Sequence, residues 1–138
     1  MLSSRTLLPT AVAALLIALP ATAHHSGRTY FDLDREVEHT DATVVSYVLV
    51  NPHGRLTYSV TDDSGNVVEW VAELASANNL RRRGLGGEVF KPGDKLISVM
   101  GNPGLGGTNF MRISRAVFAN GDVAQLTGPN TGVTRAGN

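Results

Sequence analysis

The sequence predicts a small all-β domain with one short helix, folded as an OB-like Greek-key barrel. Short segments rich in β-branched and aromatic residues, separated by Gly, Pro, Asn and Asp, recur along residues 43–126. One helical segment lies between the third and the fourth of these strands, an arrangement typical of an OB fold. No cysteine is present, so a hydrophobic core must hold the domain without disulfides. A flattened β-sandwich is the alternative arrangement.

The first 23 residues have the organisation of a secretory signal peptide. Arg5 provides a positively charged start, an apolar stretch covers residues 7–19, and Ala21-Thr22-Ala23 is a small-residue cleavage motif. The apolar stretch is shorter than the roughly 20 residues that a membrane-spanning helix needs. We therefore expect cleavage after Ala23, a mature chain that begins at His24, a periplasmic or secreted location and no stable membrane span.

The mature chain is expected to form one domain with two polar extensions. Residues 24–40 are predicted to be an N-terminal arm, partly in strand conformation, and residues 41–126 are predicted to be the barrel. Residues 127–138 are rich in Gly and Thr and are predicted to be a disordered tail. Loss of Arg5 would leave a formal charge of about −1. Because no strongly basic surface exists, nucleic acid is not expected as a partner.

Three strands are predicted before the helix. The segment 43–50 is rich in β-branched residues, so we expect a strand that is buried on both faces. In the segment 56–61 apolar and polar residues alternate, which indicates a half-buried strand. The turn residues 62–66 join it to a hairpin partner at 67–74. Trp70 lies among the inward-facing residues of that partner, and we expect it in the core.

The helix and the remaining strands are predicted from capping and turn residues. Ser76 is expected to be the N-cap of a helix over residues 77–83, and Gly84 suits the left-handed position after it. The arginines at the end of this helix complement its dipole, and anion binding is the alternative role. Three further strands and two glycine-rich loops follow. The strands cover residues 95–100, 110–118 and 123–126, and the loops cover residues 84–87 and 101–108.

Several short motifs are spread along the mature chain. They are Ala23-His24-His25-Ser26, Phe31-Asp32, Asn51-Pro52-His53, Trp70, Leu80 with Gly84, Lys91-Pro92-Gly93-Asp94, Gly101-Asn102-Pro103 and Asn120-Gly121-Asp122. Together they resemble a family of small exported bacterial proteins that is classed as a domain of unknown function, and the resemblance runs from His24 to about Leu126. It implies export and a small β-rich domain, and it implies no particular activity. The chain departs from the family pattern at Gly54, where a bulky apolar residue is expected after His53.

All four histidines lie between residues 24 and 53, and two of them would begin the mature chain. A free N-terminal His24 offers its α-amine and its Nδ1 as a chelating pair, and both nitrogens are substantially available near neutral pH. His53 follows a proline at the end of a strand and would supply a third nitrogen. Such nitrogen-rich tetragonal sites suit Cu(II), which also binds most tightly among the divalent first-row metals. The sequence therefore predicts a copper site with His24 and His53 as its principal ligands.

His25 and His39 are the auxiliary candidates. The His24 amine, the His25 amide and the His25 imidazole would chelate copper locally, without help from the fold. His39 is the second choice for the distant ligand. Zinc is the alternative metal, with the same ligands or with Asp32 or Asp34 added. In the competing interpretation the histidines are solvated or structural, with His39 exposed among carboxylates.

No catalytic constellation is recognisable in the sequence. It contains no nucleophile elbow, no phosphate-binding loop and no thiol, and the acidic pair Asp62-Asp63 belongs to a hairpin turn. We therefore do not predict an enzyme. Two functions remain as hypotheses. One is an exported metal-binding module for copper handling. The other is a metal-independent OB-like domain that binds a periplasmic small molecule or protein through its barrel face and glycine-rich loops.

Overall fold

The computed structural model describes residues 27–137, which form a short 3₁₀ helix at Gly27–Thr29, seven β-strands and one α-helix. The strands are β1 (Val37–Val48), β2 (Arg55–Thr61), β3 (Val67–Glu73), β4 (Lys95–Pro103), β5 (Phe110–Phe118), β6 (Val123–Gln125) and β7 (Gly132–Thr134), and the helix is α1 (Ala77–Arg82). Six of the strands and the helix overlap predicted elements. The predicted signal peptide and the first three residues of the predicted arm lie outside the described residues.

The first five strands close into a barrel. β2 pairs with β1 and β3, β1 pairs with β4, and β4 pairs with β5, all in antiparallel fashion. A short parallel pairing closes the barrel, because residues 71–73 of β3 lie beside residues 110–112 of β5. This strand order, with the helix between β3 and β4, is that of an OB-like Greek-key barrel. The predicted fold is confirmed, and the sandwich alternative is not adopted.

The barrel interior is filled by alternating residues of its strands. In β2, for example, Leu56 and Tyr58 are fully buried while Arg55 is exposed. Apolar side chains from outside the strands complete the core, including Leu80 of α1 and Phe90 in the segment that leads to β4. Each large apolar side chain that is fully buried stabilises the fold by about 1.5–3 kcal/mol. These contributions replace the disulfides that the chain lacks.

β1 differs from its prediction in length and in burial. It begins at Val37, inside the predicted arm, because its first half pairs with β4 over residues 37–43. Only one of its faces is buried, and Val45 and Val48 are 38% and 40% exposed. The prediction of burial on both faces is wrong, because β-branched residues suit a strand whether or not its outer face is covered. In a small barrel that outer face meets solvent.

The second glycine-rich loop is shorter than predicted. Gly101-Asn102-Pro103 belongs to β4, and the β4–β5 loop covers only residues 104–109. A side chain at Gly101 would collide with the carbonyl oxygen of Arg112 and with the Cα of Ile113. Glycine is therefore present here because two strands approach each other closely, and it does not mark a loop.

The C-terminal segment 127–138 was predicted to be disordered, and this is wrong for its described residues. β7 pairs with β6 through residues 132–134. Asp122, which is buried, accepts hydrogen bonds from the backbone N–H of Ala136 at 2.8 Å and from Arg135 Nη1 at 2.6 Å. A single carboxylate therefore fixes a segment whose polar composition gives no indication of order.

The capping prediction for the helix is confirmed. Ser76 Oγ accepts a hydrogen bond from the Asn79 N–H at 3.3 Å, and α1 ends at Arg82, one residue before the predicted end. Gly84 adopts a left-handed backbone with φ of 74°. Within residues 27–137, no helix has the length and apolar character needed to span a membrane.

Candidate functional site

A groove on the outer face of β2 and β3 brings together residues from two loops. It has a volume of about 390 Å³. We call it the β2–β3 groove. It is lined by His53 of the β1–β2 loop (residues 49–54), Arg55 of β2, Val71 and Glu73 of β3, Thr108 and Asn109 of the β4–β5 loop, and Phe110 of β5. The same face and the same two loops bind ligands in OB folds generally.

Strand register places a row of charged side chains along one side of this groove. Arg55 is the partner of Glu73 in the β2–β3 hairpin, and Glu73 is the partner of Arg112 in the parallel β3–β5 pairing. Residues paired across strands present their side chains on the same face. The Glu73 carboxylate consequently lies between two arginine positions.

His53 lies beside this row. Its Nδ1 is 3.4 Å from Glu73 Oε1, and its side chain is 53% exposed. The loop that carries it is tied to the barrel at Gly54, whose N–H donates to the Ala75 carbonyl and whose carbonyl accepts from the Leu74 N–H. Gly54 is buried, and a Cβ there would lie 3.1 Å from the Val48 carbonyl oxygen. The departure from the family pattern thus fits a tightly packed backbone that positions the imidazole.

His39 lies elsewhere, on the inward face of β1. Its Nδ1 is 2.7 Å from the Tyr58 hydroxyl, and its ring centroid is 4.2 Å from that of Trp70. The Tyr58 hydroxyl also lies 2.8 Å from Met111 Sδ, so it bridges the imidazole and the thioether. Burial lowers the pKa of His39 and raises that of Tyr58. His39 is therefore half-buried and hydrogen-bonded, and none of its contacts lies in the β2–β3 groove.

Trp70 is partly buried and packs against the core cluster as well as against His39. This agrees with its predicted place in the core. Trp70 and His39 together belong to the inner face of the barrel, whereas His53 lies on the outer face.

His24 and His25 precede the described residues, but the structure shows where the chain enters the fold. Gly27 lies against Arg112: the point that a Gly27 Cβ would occupy is 3.5 Å from Arg112 Nη1. Phe31 fixes this entry, because it pairs with Gly104 and its ring lies 5.2 Å from that of Phe110. The described chain therefore begins near Arg112, at one end of the charged row whose middle residue, Glu73, lies beside His53.

Within residues 27–137, no three His, Cys, Asp or Glu side chains form a cluster that could hold a metal ion by itself. Asp32 and Asp34, named as additional zinc ligands, are engaged differently. The Asp34 carboxylate pairs with Arg28 at 2.9 Å, and Asp32 Oδ1 accepts from the Asp34 N–H. The Arg28 guanidinium lowers the pKa of Asp34.

A second groove, of about 520 Å³, lies between the Lys91–Asp94 turn and the Asn120–Asp122 turn. Its polar groups are largely occupied by partners within the fold. Asp122 binds Arg135, Asp94 accepts from the Lys91 N–H, and Lys95 donates to the Thr43 hydroxyl.

The first predicted glycine loop, residues 84–87, contributes no residue to the β2–β3 groove. Its Leu85 is buried, and the Leu85 carbonyl accepts a hydrogen bond from the Tyr47 hydroxyl. The two glycine loops therefore do not flank one binding region.

Sequence reasoning did not identify Arg55 or Glu73, although the signal was present. A hairpin whose turn covers residues 62–66 pairs residue 61 with 67 and, by counting back, residue 55 with 73. The β2 alternation places Arg55 on the outer face, and its hairpin partner shares that face. His53 lies next to this pair. The positions of Arg112 and Gly27 next to this pair cannot be predicted by counting along the hairpin, because they depend on barrel closure.

The fold is thus a small OB-like β-barrel domain, and its outer face carries a groove large enough for a small ligand. A family model described as a family of unknown function, DUF6152, matches residues 12–111, and the chain belongs to that family. The resemblance inferred from the motifs is thereby confirmed. No curated protein matches the chain, and no solved structure matches it.

Proposed function

We propose that this protein is an exported metal-binding module, and that its mature form holds copper with nitrogen ligands from His24 and His53. The observation that carries this proposal is the position of His53, exposed in a groove with Nδ1 3.4 Å from Glu73. Histidines that bind metals almost always direct their other ring N–H to a carboxylate or a carbonyl. Glu73 would orient the ring in this way and leave Nε2 for the metal.

The entry of the chain supports the contribution of His24. His24 lies three positions before Gly27 in the sequence, and three residues reach about 10 Å when extended. Gly27 lies near Arg112, which is the register neighbour of Glu73, and the Glu73 carboxylate lies 3.4 Å from His53 Nδ1. Gly27, the first described residue, thus lies on the same side of the barrel as His53, and His24 is close to it in sequence.

Copper is the preferred metal because the proposed donors are an amine and imidazoles, which favour a tetragonal Cu(II) site. Zinc is the alternative for the same donors. His25 would act as an auxiliary through its amide and imidazole nitrogens. His39 is a weaker auxiliary than the sequence alone suggests, because its Nδ1 is engaged by Tyr58.

The proposal is tested on protein recovered after export from a bacterial host. Native mass spectrometry should show a chain that begins at His24 and binds one Cu(II). The affinity should exceed that of a synthetic peptide that begins His24-His25-Ser26, because the peptide lacks His53. His53→Ala should reduce the affinity to the level of this peptide, and an additional Ala before His24 should weaken binding strongly.

Glu73→Gln provides the matched variant for the orienting carboxylate. Loss of such a partner typically lowers metal affinity by about 10–100-fold. Asp63→Asn, a change of the same kind in an exposed turn, is the control and should leave copper affinity unchanged. A mature N-terminus at another residue, or equal affinity in wild type and His53→Ala, would exclude this arrangement.

The second candidate function is metal-independent binding of a small molecule in the β2–β3 groove. The observation that favours it is that the groove lies on the ligand-binding face of an OB fold and is bordered by the β4–β5 loop. In this case a chelator should not affect binding, whereas deletion of residues 104–107 should abolish binding and preserve the barrel. Circular dichroism would check that the barrel of the deletion variant remains folded.

A further inference from the structure

We infer that the β2–β3 groove binds a small organic monocarboxylate, and that Arg55 is the residue that recognises its carboxylate group. This inference rests on the second candidate function, in which the groove is a binding site in its own right. It assigns a ligand class to that site and requires no metal.

Arg55 is the first observation. Its side chain is exposed in the groove, and among the described residues it takes part in no ion pair within 4.0 Å and no side-chain hydrogen bond. Its register partner Glu73 contacts His53 instead. A guanidinium group presents its N–H donors in a planar fork that matches both oxygens of a carboxylate. The groove therefore contains an unused donor set of defined shape.

Another part of the groove is apolar and packs against the core and the neighbouring loop. Val71 and Phe110 line it, and the Phe110 ring packs against the buried ring of Phe31 with centroids 5.2 Å apart. The Val71 N–H donates to the Asn109 carbonyl at 3.0 Å, which ties the wall to the β4–β5 loop. A ligand with an apolar body would pack here while its acid group reached Arg55. Small-molecule sites commonly combine an apolar lining with a few polar groups in this way.

Glu73 limits the charge that the ligand can carry. Its carboxylate lies in the same groove, 3.4 Å from His53 Nδ1, and would repel a second negative charge. A phosphate or a dicarboxylate is therefore disfavoured relative to a monocarboxylate. Thr108 and Asn109 add side-chain hydroxyl and amide groups that have no side-chain hydrogen-bond partner among residues 27–137, so they remain available for a ligand hydroxyl or amino group.

The experiment is a titration of the full exported protein, with metal removed by a chelator, using phenylacetate as the probe. Amide chemical-shift changes in nitrogen–proton NMR spectra report both affinity and location. Shifts are expected at Arg55, Val71 and residues 108–110. Neutral phenylacetamide and inorganic phosphate are the comparison ligands, and both should bind more weakly than phenylacetate.

Two variants and a control define the recognition residue. Arg55→Gln should weaken phenylacetate binding by about 10-fold or more, as expected for the loss of hydrogen bonds to a charged group. Arg55→Lys keeps the charge but loses the fork, so its affinity should lie between wild type and Arg55→Gln. Arg82→Gln, on the exposed end of α1, should bind like wild type.

Several outcomes would overturn the inference. They are equal binding of phenylacetate and phenylacetamide, unchanged affinity in Arg55→Gln, shifts located outside the groove, and no binding of the carboxylate. Because the titration is performed without metal, none of these outcomes bears on the copper site. Conversely, a failure to bind copper leaves the carboxylate result unaffected.

Discussion

His53, predicted as a principal ligand, and His39, predicted as an auxiliary one, have different environments in the fold. His53 is exposed beside a carboxylate, whereas His39 is half-buried between Tyr58 and Trp70. Sequence placed His39 between Glu38 and Asp41 and suggested exposure. In the structure Glu38 accepts a hydrogen bond from the Ser98 hydroxyl on β4, and His39, the next residue of β1, faces inward. Neighbours in sequence are thus poor guides to the surroundings of a strand residue.

The burial of His39 predicts that acid destabilises the fold. Because its pKa is lower in the folded state than its usual 6.5, the unfolded chain binds more protons below that pH. The free energy of unfolding should decrease as pH falls from above 6.5 through the folded-state pKa. For one such group the slope is at most about 1.4 kcal/mol per pH unit. Urea denaturation at several pH values between 8 and 5 measures it.

His39→Gln should remove this part of the pH dependence, because glutamine does not titrate. Thr61→Gln, at an exposed position that does not titrate, is the matched control and should keep the wild-type slope. If the His39→Gln protein retained the wild-type slope over this range, another group would have to be responsible.

At the scale of elements, most strands follow from alternation and turn chemistry. β5 is found at its predicted bounds, and the β2–β3 hairpin differs from its prediction by one residue at each of two ends. The structural role of a glycine could not be predicted from the sequence alone. Gly106 lies in a loop, whereas Gly101 lies in a strand that closely approaches its neighbour. Only the neighbouring strand distinguishes these two cases. The β7 strand was missed because its order depends on a contact outside the segment.

Asp122 should control the attachment of β7. The Ala136 N–H and then Arg135 lower the pKa of Asp122, so its stabilising effect is present above the unfolded value of 3.8 and is lost as pH falls below it. Asp122→Asn should therefore increase amide hydrogen exchange in residues 132–136 several-fold at neutral pH and leave the barrel strands protected. Mass spectrometry after exchange would measure this difference.

Asp63→Asn again provides the control, since Asp63 lies in the exposed β2–β3 turn far along the chain from β7. Uniform loss of protection across the barrel in Asp122→Asn would contradict a local role. Unchanged exchange in residues 132–136 would show that strand pairing alone holds β7.

For the whole molecule, the sequence was sufficient to predict the fold and insufficient to assemble the site. One helix between the third and fourth of five strands predicts an OB-like barrel, and the strand order agrees. The convergence of His53 with Glu73 could be counted from the hairpin, as described above. The approach of the β4–β5 loop and of Gly27 depends on contacts between distant parts of the chain, for which local patterns give no register.

Barrel closure should therefore be coupled to ligand binding. The groove takes Val71 and Glu73 from one side of the parallel pairing and Phe110 from the other. A ligand that contacts both sides stabilises the closed form by mass action. We expect saturating phenylacetate to slow amide exchange at Val71, whose N–H donates to Asn109, more than at Val133 in β7. Equal slowing at both amides would indicate general stabilisation.

The three-residue parallel pairing is the shortest junction in the barrel wall, and it joins segments almost forty residues apart. Joining such distant segments costs more loop-closure entropy than forming a hairpin does. A nascent or partly unfolded chain would consequently lack the binding groove, even with every other strand formed. Ligand bound in the groove would then distinguish molecules with a closed barrel from molecules in which the β3–β5 pairing has not formed.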